Sequence, residues 1–351
     1  PWGLPIQNTW AMIADQINEA GGFTVDGQEY NWKFIAYDDE LTPSKAVDCV
    51  NRLLSRDKAQ FLFTFSTDAT VATLPITEPA KVINIGLCPP NSDLINPNNY
   101  YTFTYGMDAM TALVFYPWLA ENRPQYTKVA CLHEDTVNGM ATAEMVRAGI
   151  KGTRLEIVFD EIGDPATTDF NPVLTRMLAT KPDFLAIENW DPSANALMIK
   201  QARELGFKGG IHLVTPDILT LKEIAGVQNI NEVYCDPEPF KWTPGMKKFK
   251  DDYIAAFGEK NWPGANVMQL RDCILWITQA IEATQSFDNE KVIKHMEKAK
   301  MKSLFGEPAF LGGSKLFGIA RIPIWPSYVC VLKDGEFVEA YSGLVNIEKT
   351  K

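Results

Sequence analysis

Apolar residues recur along the chain at two spacings that alternate with each other. Near the amino terminus Trp10, Ile13 and Ile17 follow helical spacing, and this stretch ends at Gly21-Gly22, as a helix commonly does. From residue 31 onward, short runs rich in branched and aromatic residues predict strands between helical stretches. These predicted strands are NWKFIAYDD, FLFTF, VINIGL, KVACLH, LEIVFD, FLAIEN and IHLV. The alternation predicts βαβ units, and therefore a parallel sheet with helices on both faces.

Helical spacing fills most of the segments between these strands. Helices are predicted in LTPSKAVDCVNRLLSRD, from about Thr67, from Met107 to Leu119, and after Asn138, Asp169, Pro192 and Pro216. After about Pro237 the pattern changes to three long helices, from Pro244 to Phe257, Ala265 to Thr284 and Asn289 to Lys298. A β-rich tail follows, and its turn at Asp334-Gly335 predicts an antiparallel hairpin.

Composition places the chain among ordinary globular proteins of about two domains. It has 351 residues, of which 46% are hydrophobic and 22% charged, and this excludes a disordered tail, a collagenous repeat or a coiled coil. The net charge of −11 argues against nucleic acid or an anionic lipid surface as a partner. The longest apolar window, from about Ala109 to Ala120, is too short for a membrane span. The first residues, PWGLPIQNTW, do not resemble a signal peptide, so any export signal has been removed or was never present.

The reactive side chains do not form a metal, cofactor or catalytic motif. The six cysteines are far apart, with no CxxC pair and no zinc spacing, so we expect no metal and no cofactor. Single cysteines in a chain of this size are usually buried; Cys49 and Cys88 form the first pair to test for a disulfide, because both are expected at one sheet edge. No nucleotide-binding glycine motif follows a strand, and the three histidines are isolated. Carboxylates at strand ends keep an α/β enzyme as a weaker alternative.

Six segments, taken in order and spacing, carry a resemblance to a known family over nearly the whole chain. They are INEAGG (Ile17 to Gly22), AYDDELTPSKAV (Ala36 to Val47), KVACLHEDTVNGMATAE (Lys128 to Glu144), DFNPVLTRMLATKPDFLAI (Asp169 to Ile187), MIKQARELGFK (Met198 to Lys208) and VLKDGEFV (Val331 to Val338). The chain resembles the leucine/isoleucine/valine-binding protein family, the type I periplasmic solute-binding proteins that deliver ligands to ABC importers.

The resemblance implies a two-lobe α/β fold of periplasmic-binding-protein type I, each lobe a parallel sheet with helices on both faces, joined by a three-stranded hinge crossover. Lobe one is expected to comprise residues 1–105 plus 236–315, and lobe two residues 106–235 plus 316–351. The hinge would lie near Tyr105-Gly106, Tyr234 to Asp236 and Gly312 to Ile319. The implied protein is a periplasmic or cell-surface monomer, not an enzyme, that captures a small molecule between its lobes and delivers it to a permease.

One departure from the family concerns the amino terminus. Family members open with a short apolar strand of the type IKIGVLxPxTG, which is central in the first sheet, whereas this chain begins after it. Without that strand, its neighbours would have unpaired backbone groups at a buried edge, so we expect further residues upstream in the intact protein.

In lobe one, the resemblance places ligand contacts on the first loop and on two strand ends. Trp2 is an aromatic residue where the family often has a ring over the ligand; alternatively, it caps the first helix. Phe65, Ser66 and Thr67 end a strand and open a helix, where amides and the Ser66 hydroxyl suit a carboxylate, although Ser66 or Thr67 also suits an N-cap.

At the next strand end, amino-acid binders of this family present a small residue and a threonine to the ligand. This chain has Cys88-Pro89-Pro90 there, and proline offers neither an amide hydrogen nor a hydroxyl. We therefore expect a ligand more apolar or aromatic than an aliphatic amino acid, with a carboxylate as one option. A branched-chain or other amino acid is the alternative ligand.

The remaining candidates are Asn138, Trp190 and Asp217 in lobe two, together with Arg271 and Tyr105. Tyr105, Trp190 and Trp2 would form an aromatic-lined pocket. Asp217 would accept from a ligand hydroxyl or amine, or else only cap a helix. Arg271 is a charge within an apolar helix, so it would either anchor an anion or pair on the surface. A sensory or receptor ligand-binding module has the same fold and stays open as a function of another class.

Closure of the lobes on the ligand is the expected mechanism, because a ligand that contacts both lobes shifts an open and closed equilibrium toward the closed state. Small-angle X-ray scattering should then give a smaller radius of gyration with ligand than without it. An unchanged radius at saturating ligand would contradict closure.

Overall fold

A computed structural model describes residues 3–105, 111–188, 190–214, 216–235, 242–264, 267–306 and 310–344. The chain divides into two units. The first unit comprises Pro1–Cys88, Ser92–Tyr105 and Lys241–Trp325, and the second comprises Pro89–Asn91, Gly106–Phe240 and Pro326–Lys351.

The first pass of the chain through the first unit builds a small parallel sheet. Its elements are α1 (Gly3–Glu19), β1 (Phe23–Val25), β2 (Gln28–Tyr30), α2 (Pro43–Ser55), β3 (Phe61–Phe65), α3 (Thr67–Thr77), β4 (Ile83–Leu87) and β5 (Thr102–Thr104). Strands β3, β4 and β5 pair in parallel in that order, whereas β1 and β2 form a separate antiparallel pair.

Helix α2 illustrates why the sequence forms these elements. Pro43 is the first residue of α2, where an amide hydrogen would have no acceptor within the helix. Apolar residues recur at helical spacing after it. Val50 is buried in one hydrophobic cluster with Leu62 of β3 and Val82. The amphipathic face of α2 thus packs on the sheet.

One predicted strand is wrong. Residues 31–39, NWKFIAYDD, have the composition of a strand but form no strand ladder, and β2 ends before them at Tyr30. A β-strand exists only through backbone hydrogen bonds to a neighbour, and no described strand pairs with this segment. The ring of Phe34 instead lies 6.0 Å from that of Trp10 in α1.

The second unit continues the β-then-α alternation. Its elements are α4 (Ala112–Asn122), β6 (Lys128–Glu134), α5 (Val137–Ile150), β7 (Glu156–Gly163), α6 (Asn171–Ala179), β8 (Phe184–Ala186), α7 (Pro192–Glu204), β9 (Gly210–Leu213), α8 (Ile218–Thr220) with a π-helical turn (Leu221–Ala225) and a 3-10 turn (Val227–Asn229), and β10 (Val233–Cys235). The predicted helix from Met107 is described only from α4 onward, since residues 106–110 lie outside the described residues.

The chain then returns to the first unit as helices and a short strand pair. These elements are α9 (Pro244–Phe257), a 3-10 turn (Glu259–Asn261), α10 (Met268–Thr284), α11 (Asn289–Met296), β11 (Phe310–Gly312), α12 (Ser314–Phe317) and β12 (Ile322–Ile324). Strands β11 and β12 pair with each other. The first unit extends to Trp325, whereas the expected boundary of lobe one is residue 315. The helix from Pro244 to Phe257 confirms its predicted bounds.

The last strands complete the sheet of the second unit. Strands β13 (Pro326–Lys333) and β14 (Glu336–Leu344) form the predicted antiparallel hairpin. The sheet order is β14-β13-β10-β9-β8-β6-β7, with parallel pairing from β10 to β7. Asp334 and Gly335 both have positive φ, at 51° and 77°, as such a tight turn requires. The predicted α/β architecture with parallel sheets is confirmed.

Close helix packing in the second unit depends on Gly149 of α5. A Cβ atom at this position would lie 2.3 Å from the carbonyl oxygen of Ala112 in α4. Because that oxygen belongs to the backbone, it cannot move aside as a flexible side chain could.

Replacing Gly149 by Ala should therefore push α4 and α5 apart and lower the free energy of unfolding by about 1–3 kcal/mol. Urea denaturation measures this loss. The matched control is Gly3→Ala in α1, since a Cβ there meets nothing within 4 Å. Equal stability of the two variants would contradict the close approach.

Candidate functional site

Three strand ends of the first unit meet at one edge. The parallel register aligns Phe65 of β3 with Leu87 of β4, and Gly86 of β4 with Thr104 of β5. Beyond the ladder, the Ser66 amide donates to the Leu87 carbonyl at 3.4 Å, and the Tyr105 amide donates to the Gly86 carbonyl at 2.8 Å. The sequence-predicted residues Phe65, Ser66, Thr67, Cys88 and Tyr105 therefore follow or end strands of one sheet at the same edge.

Ser66 has a strained backbone. Its φ of 79° with ψ of 154° is a conformation that glycine favours and other residues rarely adopt. Its hydroxyl oxygen accepts from the amide of Ala69 at 3.3 Å and so caps α3, which leaves the hydroxyl hydrogen to donate elsewhere. Strain of this kind costs roughly 1–3 kcal/mol and clusters at functional sites, so it distinguishes Ser66 from an ordinary helix cap.

Cys88 is a buried, protonated thiol. Its Sγ lies 3.7 Å from the Thr70 hydroxyl, and burial raises the pKa of the thiol to about 12. Gly86 keeps this cluster close, because a Cβ there would lie 2.8 Å from the Thr70 side chain and 3.0 Å from Sγ. The suggested pair of Cys49 and Cys88 does not form a disulfide, and Cys49 instead lies 3.7 Å from the Asp38 carbonyl.

Pro89 and Pro90 follow Cys88 directly. Pro89 is partly exposed and Pro90 is buried. Neither has an amide hydrogen, so this strand end offers fewer backbone donors than the start of α3.

Tyr105 and Trp190 pack inside the cores of their own units. Tyr105 is 2% exposed, its ring lies 4.9 Å from that of Trp325, and burial raises the pKa of its hydroxyl well above 10. Trp190 is 5% exposed, and its indole N–H donates to the Leu132 carbonyl at 3.0 Å. Their predicted place in a ligand pocket stays a prediction.

The other predicted contacts of the second unit lie at helix starts. Asp217 is exposed and caps α8: the Thr220 hydroxyl donates to it at 2.8 Å, and this bond, with two amide bonds, lowers the pKa of its carboxyl. Asn138 is an exposed residue of the first turn of α5. Trp2 lies outside the described residues.

Arg271 lies on α10 beside a cavity of about 440 Å³ in the first unit. Its Nη1 is 3.4 Å from Oδ1 of Asp272, and its side chain is 30% exposed. Partial burial lowers the pKa of the guanidinium. The guanidinium is thus paired with a neighbour on its own helix and also open to the cavity.

Asp272, which sequence reasoning missed, is a fully buried carboxyl. It accepts from the Ser303 hydroxyl at 2.7 Å, from the Leu304 amide at 3.3 Å and from the Trp325 indole N–H at 3.3 Å. Burial nevertheless raises the pKa of its carboxyl to about 6. A charged pair, Arg271 with Asp272, within an otherwise apolar helix was the signal that could have found it.

A second buried polar group lies in the second unit. The Tyr116 hydroxyl donates to Oε1 of Glu188 at 2.6 Å, and Nδ1 of His212 lies 2.5 Å from the same oxygen. Glu188 and His212 are 0% exposed. An acid beside a histidine is a common catalytic arrangement, but no substrate reaches a fully buried pair. Tyr116, Glu188 and His212 are far apart in the sequence, so their spacing along the chain does not predict this cluster.

Among the described residues, no helix is both long and apolar enough to cross a membrane. No group of three or more histidine, cysteine, aspartate or glutamate side chains among them could hold a metal ion.

A match to a known family covers most of the chain. A family described as "Periplasmic binding protein" matches residues 1–316. The chain belongs to the periplasmic binding protein family. The predicted resemblance is therefore confirmed, and the family is one of binding proteins rather than enzymes.

Proteins similar to this periplasmic binding protein are named for, or solved with, different solutes. An "Amino acid binding protein" from Pseudomonas aeruginosa is 26% identical over 216 residues, which span 60% of this chain and only 56% of that relative. A branched-chain amino acid transporter substrate binding protein from Streptococcus pneumoniae, solved with isoleucine, is 18% identical with a TM-score of 0.71, covering 98% of this chain and 94% of its own.

A third relative holds an aromatic acid. It is a solute binding protein of an ABC transporter from Rhodopseudomonas palustris, solved with 3,4-dihydroxybenzoic acid. It is 23% identical, has a TM-score of 0.68, and covers 97% of this chain and 92% of its own. At such identities both structural likenesses establish the fold.

The raised pKa of Asp272 predicts a pH dependence of stability. The folded state holds this proton up to about pH 6, whereas an unfolded aspartate releases it near pH 3.8. The contribution of Asp272 to stability is therefore highest below about pH 4, falls as pH rises to about 6, and is constant above. The total loss is up to about 3 kcal/mol.

Urea unfolding from pH 4 to pH 7, compared between the wild type and Asp272→Asn, isolates this effect. As the pH rises, the free energy of unfolding of the wild type should fall relative to that of Asp272→Asn. Asp251→Asn, on an exposed position of α9, is the matched control. A difference that is flat with pH would contradict the ionisation of Asp272.

Proposed function

We propose that this chain is the extracytoplasmic solute-binding component of an ABC importer, which captures a small organic solute and presents it to the permease. The observation that carries the proposal is the family match over residues 1–316. Of the two solved relatives with this fold, one is named a transporter substrate binding protein and the other a solute binding protein of an ABC transporter. The periplasm or the cell surface is the matching location.

The proposed solute is an aromatic or otherwise apolar carboxylate. Pro89 and Pro90 remove amide donors that a zwitterionic amino acid would use at the strand end. Ser66 supplies a hydroxyl, and the amino-terminal end of α3 favours a negative group. The relative solved with 3,4-dihydroxybenzoic acid supports this class of solute.

The strand-end edge of the first unit is the proposed holding surface. Ser66 donates to the solute, Phe65 contributes a half-buried ring, and Thr67 opens the helix behind them. The Cys88 thiol stays neutral because its pKa is raised to about 12, so it does not repel an anion. Contacts from Trp2, Pro89, Tyr105, Asn138, Trp190 and Asp217 are part of the same proposal, whereas Arg271 lines the cavity of about 440 Å³ and is not.

A branched-chain or other amino acid is the second candidate solute. It is favoured by the relative solved with isoleucine and by the Pseudomonas aeruginosa relative named an amino acid binding protein. Asp217 is an exposed carboxylate of the second unit that could accept from an ammonium group.

Isothermal titration calorimetry distinguishes the two candidates. The full chain is unfolded in guanidinium chloride, dialysed to remove carried-over solute and refolded before titration. The panel contains benzoate, 4-hydroxybenzoate, 3,4-dihydroxybenzoate, leucine, isoleucine and valine. Micromolar or tighter binding of an aromatic acid supports the proposal, whereas binding of the amino acids alone overturns the solute class. A refolded protein that binds no small organic solute in wider screening contradicts the transport role.

Two substitutions of Ser66 separate a binding role from a structural one. Ser66→Gly relieves the positive φ and loses little capping, so stability should hold or rise, while the bound solute loses a donor and affinity falls roughly tenfold. Ser66→Ala keeps the strain and loses the cap, so stability should fall by about 1 kcal/mol, with a similar loss of affinity. Urea unfolding and calorimetry measure both quantities. Unchanged affinity in both variants would remove Ser66 from the site.

A further inference from the structure

The cavity beside Arg271 is built by three segments of the first unit. The described residues that line it come from the start of α9, from one side of α10 and from the loop before β11. They are Thr243, Gly245, Arg271, Leu275, Gln279, Lys302, Ser303, Leu304 and Gly306. None of them belongs to the strand-end edge formed by β3, β4 and β5. The cavity therefore has a different set of walls from the proposed solute-holding surface.

Positive charge dominates this cavity. Arg271 has one ion-pair partner among the described residues, Asp272 at 3.4 Å. The oxygens of Asp272 also accept from Ser303, Leu304 and Trp325, and its single charge does not offset both Arg271 and Lys302. Lys302 is exposed and has no ion pair with any described residue. No described lining residue is acidic.

The start of α9 adds one backbone donor, the Gly245 amide. Thr243 caps this 14-residue helix by accepting from the Met246 amide at 3.1 Å, and its hydroxyl donates to the Leu304 carbonyl at 2.6 Å. Gly245 lies in the first turn, where amides have no acceptor within the helix. A Cβ at Gly245 would lie 3.2 Å from the Leu304 side chain, so glycine keeps this wall open.

Apolar walls complete the cavity and narrow the class of ligand. Leu275 and Leu304 line it together with the charged residues. A fork of guanidinium donors matches the two oxygens of a carboxylate, and leucine side chains favour a hydrocarbon body over a fully hydrated ion. The volume of about 440 Å³ lies within the range of small-molecule sites.

We propose that this cavity is a separate binding site for a small organic carboxylate, held by Arg271 and Lys302 with its hydrocarbon part against Leu275 and Leu304. The site goes beyond the proposed transport function, because it does not use the strand-end edge. Occupancy would join α9, α10 and the loop of residues 302–306 through one ligand.

Hexanoate is the probe, with hexanamide as its neutral counterpart and inorganic phosphate as an anion without an apolar part. Calorimetry at low salt should show that the wild type binds hexanoate at least about tenfold more tightly than either of the others. Equal binding of hexanamide would overturn the role of charge. Tighter binding of phosphate would overturn the organic class, and no hexanoate binding at 10 mM, on the order of the weakest specific affinities, would overturn the site.

Variants then locate the site. Arg271→Gln should weaken hexanoate binding by roughly tenfold or more, and Arg271→Lys, which keeps the charge but not the fork, by less. Lys302→Gln should weaken it severalfold. The matched control is Lys300→Gln, an exposed lysine outside the cavity lining, and it should bind hexanoate as the wild type does.

Two further comparisons keep the result interpretable. Circular dichroism and urea unfolding show whether each variant folds. If Arg271→Gln does not fold, the site is tested with Arg271→Lys instead. Ser66→Gly should keep the hexanoate binding that Arg271→Gln weakens, because Ser66 does not line the cavity; hexanoate bound at the strand-end edge would be a second, independent site that only Ser66→Gly weakens. A loss in Ser66→Gly equal to that in Arg271→Gln would overturn the separateness of the site, and unchanged binding in both Arg271 variants would overturn the site itself.

Discussion

Parallel strand pairing is the constraint on which the rest of this structure depends. Parallel strands place all of their carboxyl ends on one edge, and each end is followed by a helix that starts at that edge. In the first unit this geometry gathers Ser66, Cys88 and Tyr105 from positions far apart in the chain. The same geometry places the amino terminus of α3, which carries partial positive charge, at the edge that we propose as the holding surface.

Two features distinguish this edge from an ordinary sheet edge. Ser66 keeps a backbone conformation that a serine adopts only when its surroundings impose it. Pro89 and Pro90 remove donors at the neighbouring strand end. The end of β3 thus presents the Ser66 hydroxyl, whereas Pro89 and Pro90 after β4 present no amide hydrogen. This difference matches the proposed solute, whose polar group lies at one end.

Buried polar groups connect different elements in each of the two units. In the first unit, Asp272 ties α10 to the loop after α11 and to Trp325, whose ring packs on Tyr105. In the second unit, Glu188 accepts from Tyr116 and lies against His212, with Phe115 stacked on the imidazole at 3.8 Å. A buried carboxylate without partners would be costly, so these contacts specify how the elements pack.

The order of helices and strands, the α/β class and the family could be predicted from the sequence, because apolar spacing and turn residues are local signals that survive without any partner. Helix α9 and the hairpin at Asp334-Gly335 follow directly from such signals. The segment NWKFIAYDD had the same signals yet forms no strand, since a ladder needs a neighbour that spacing cannot supply. The strain at Ser66, the buried carboxyl of Asp272 and the cavity beside Arg271 depend on contacts between segments that are distant in the chain. These contacts exist only in the folded protein, so only the tertiary structure shows them.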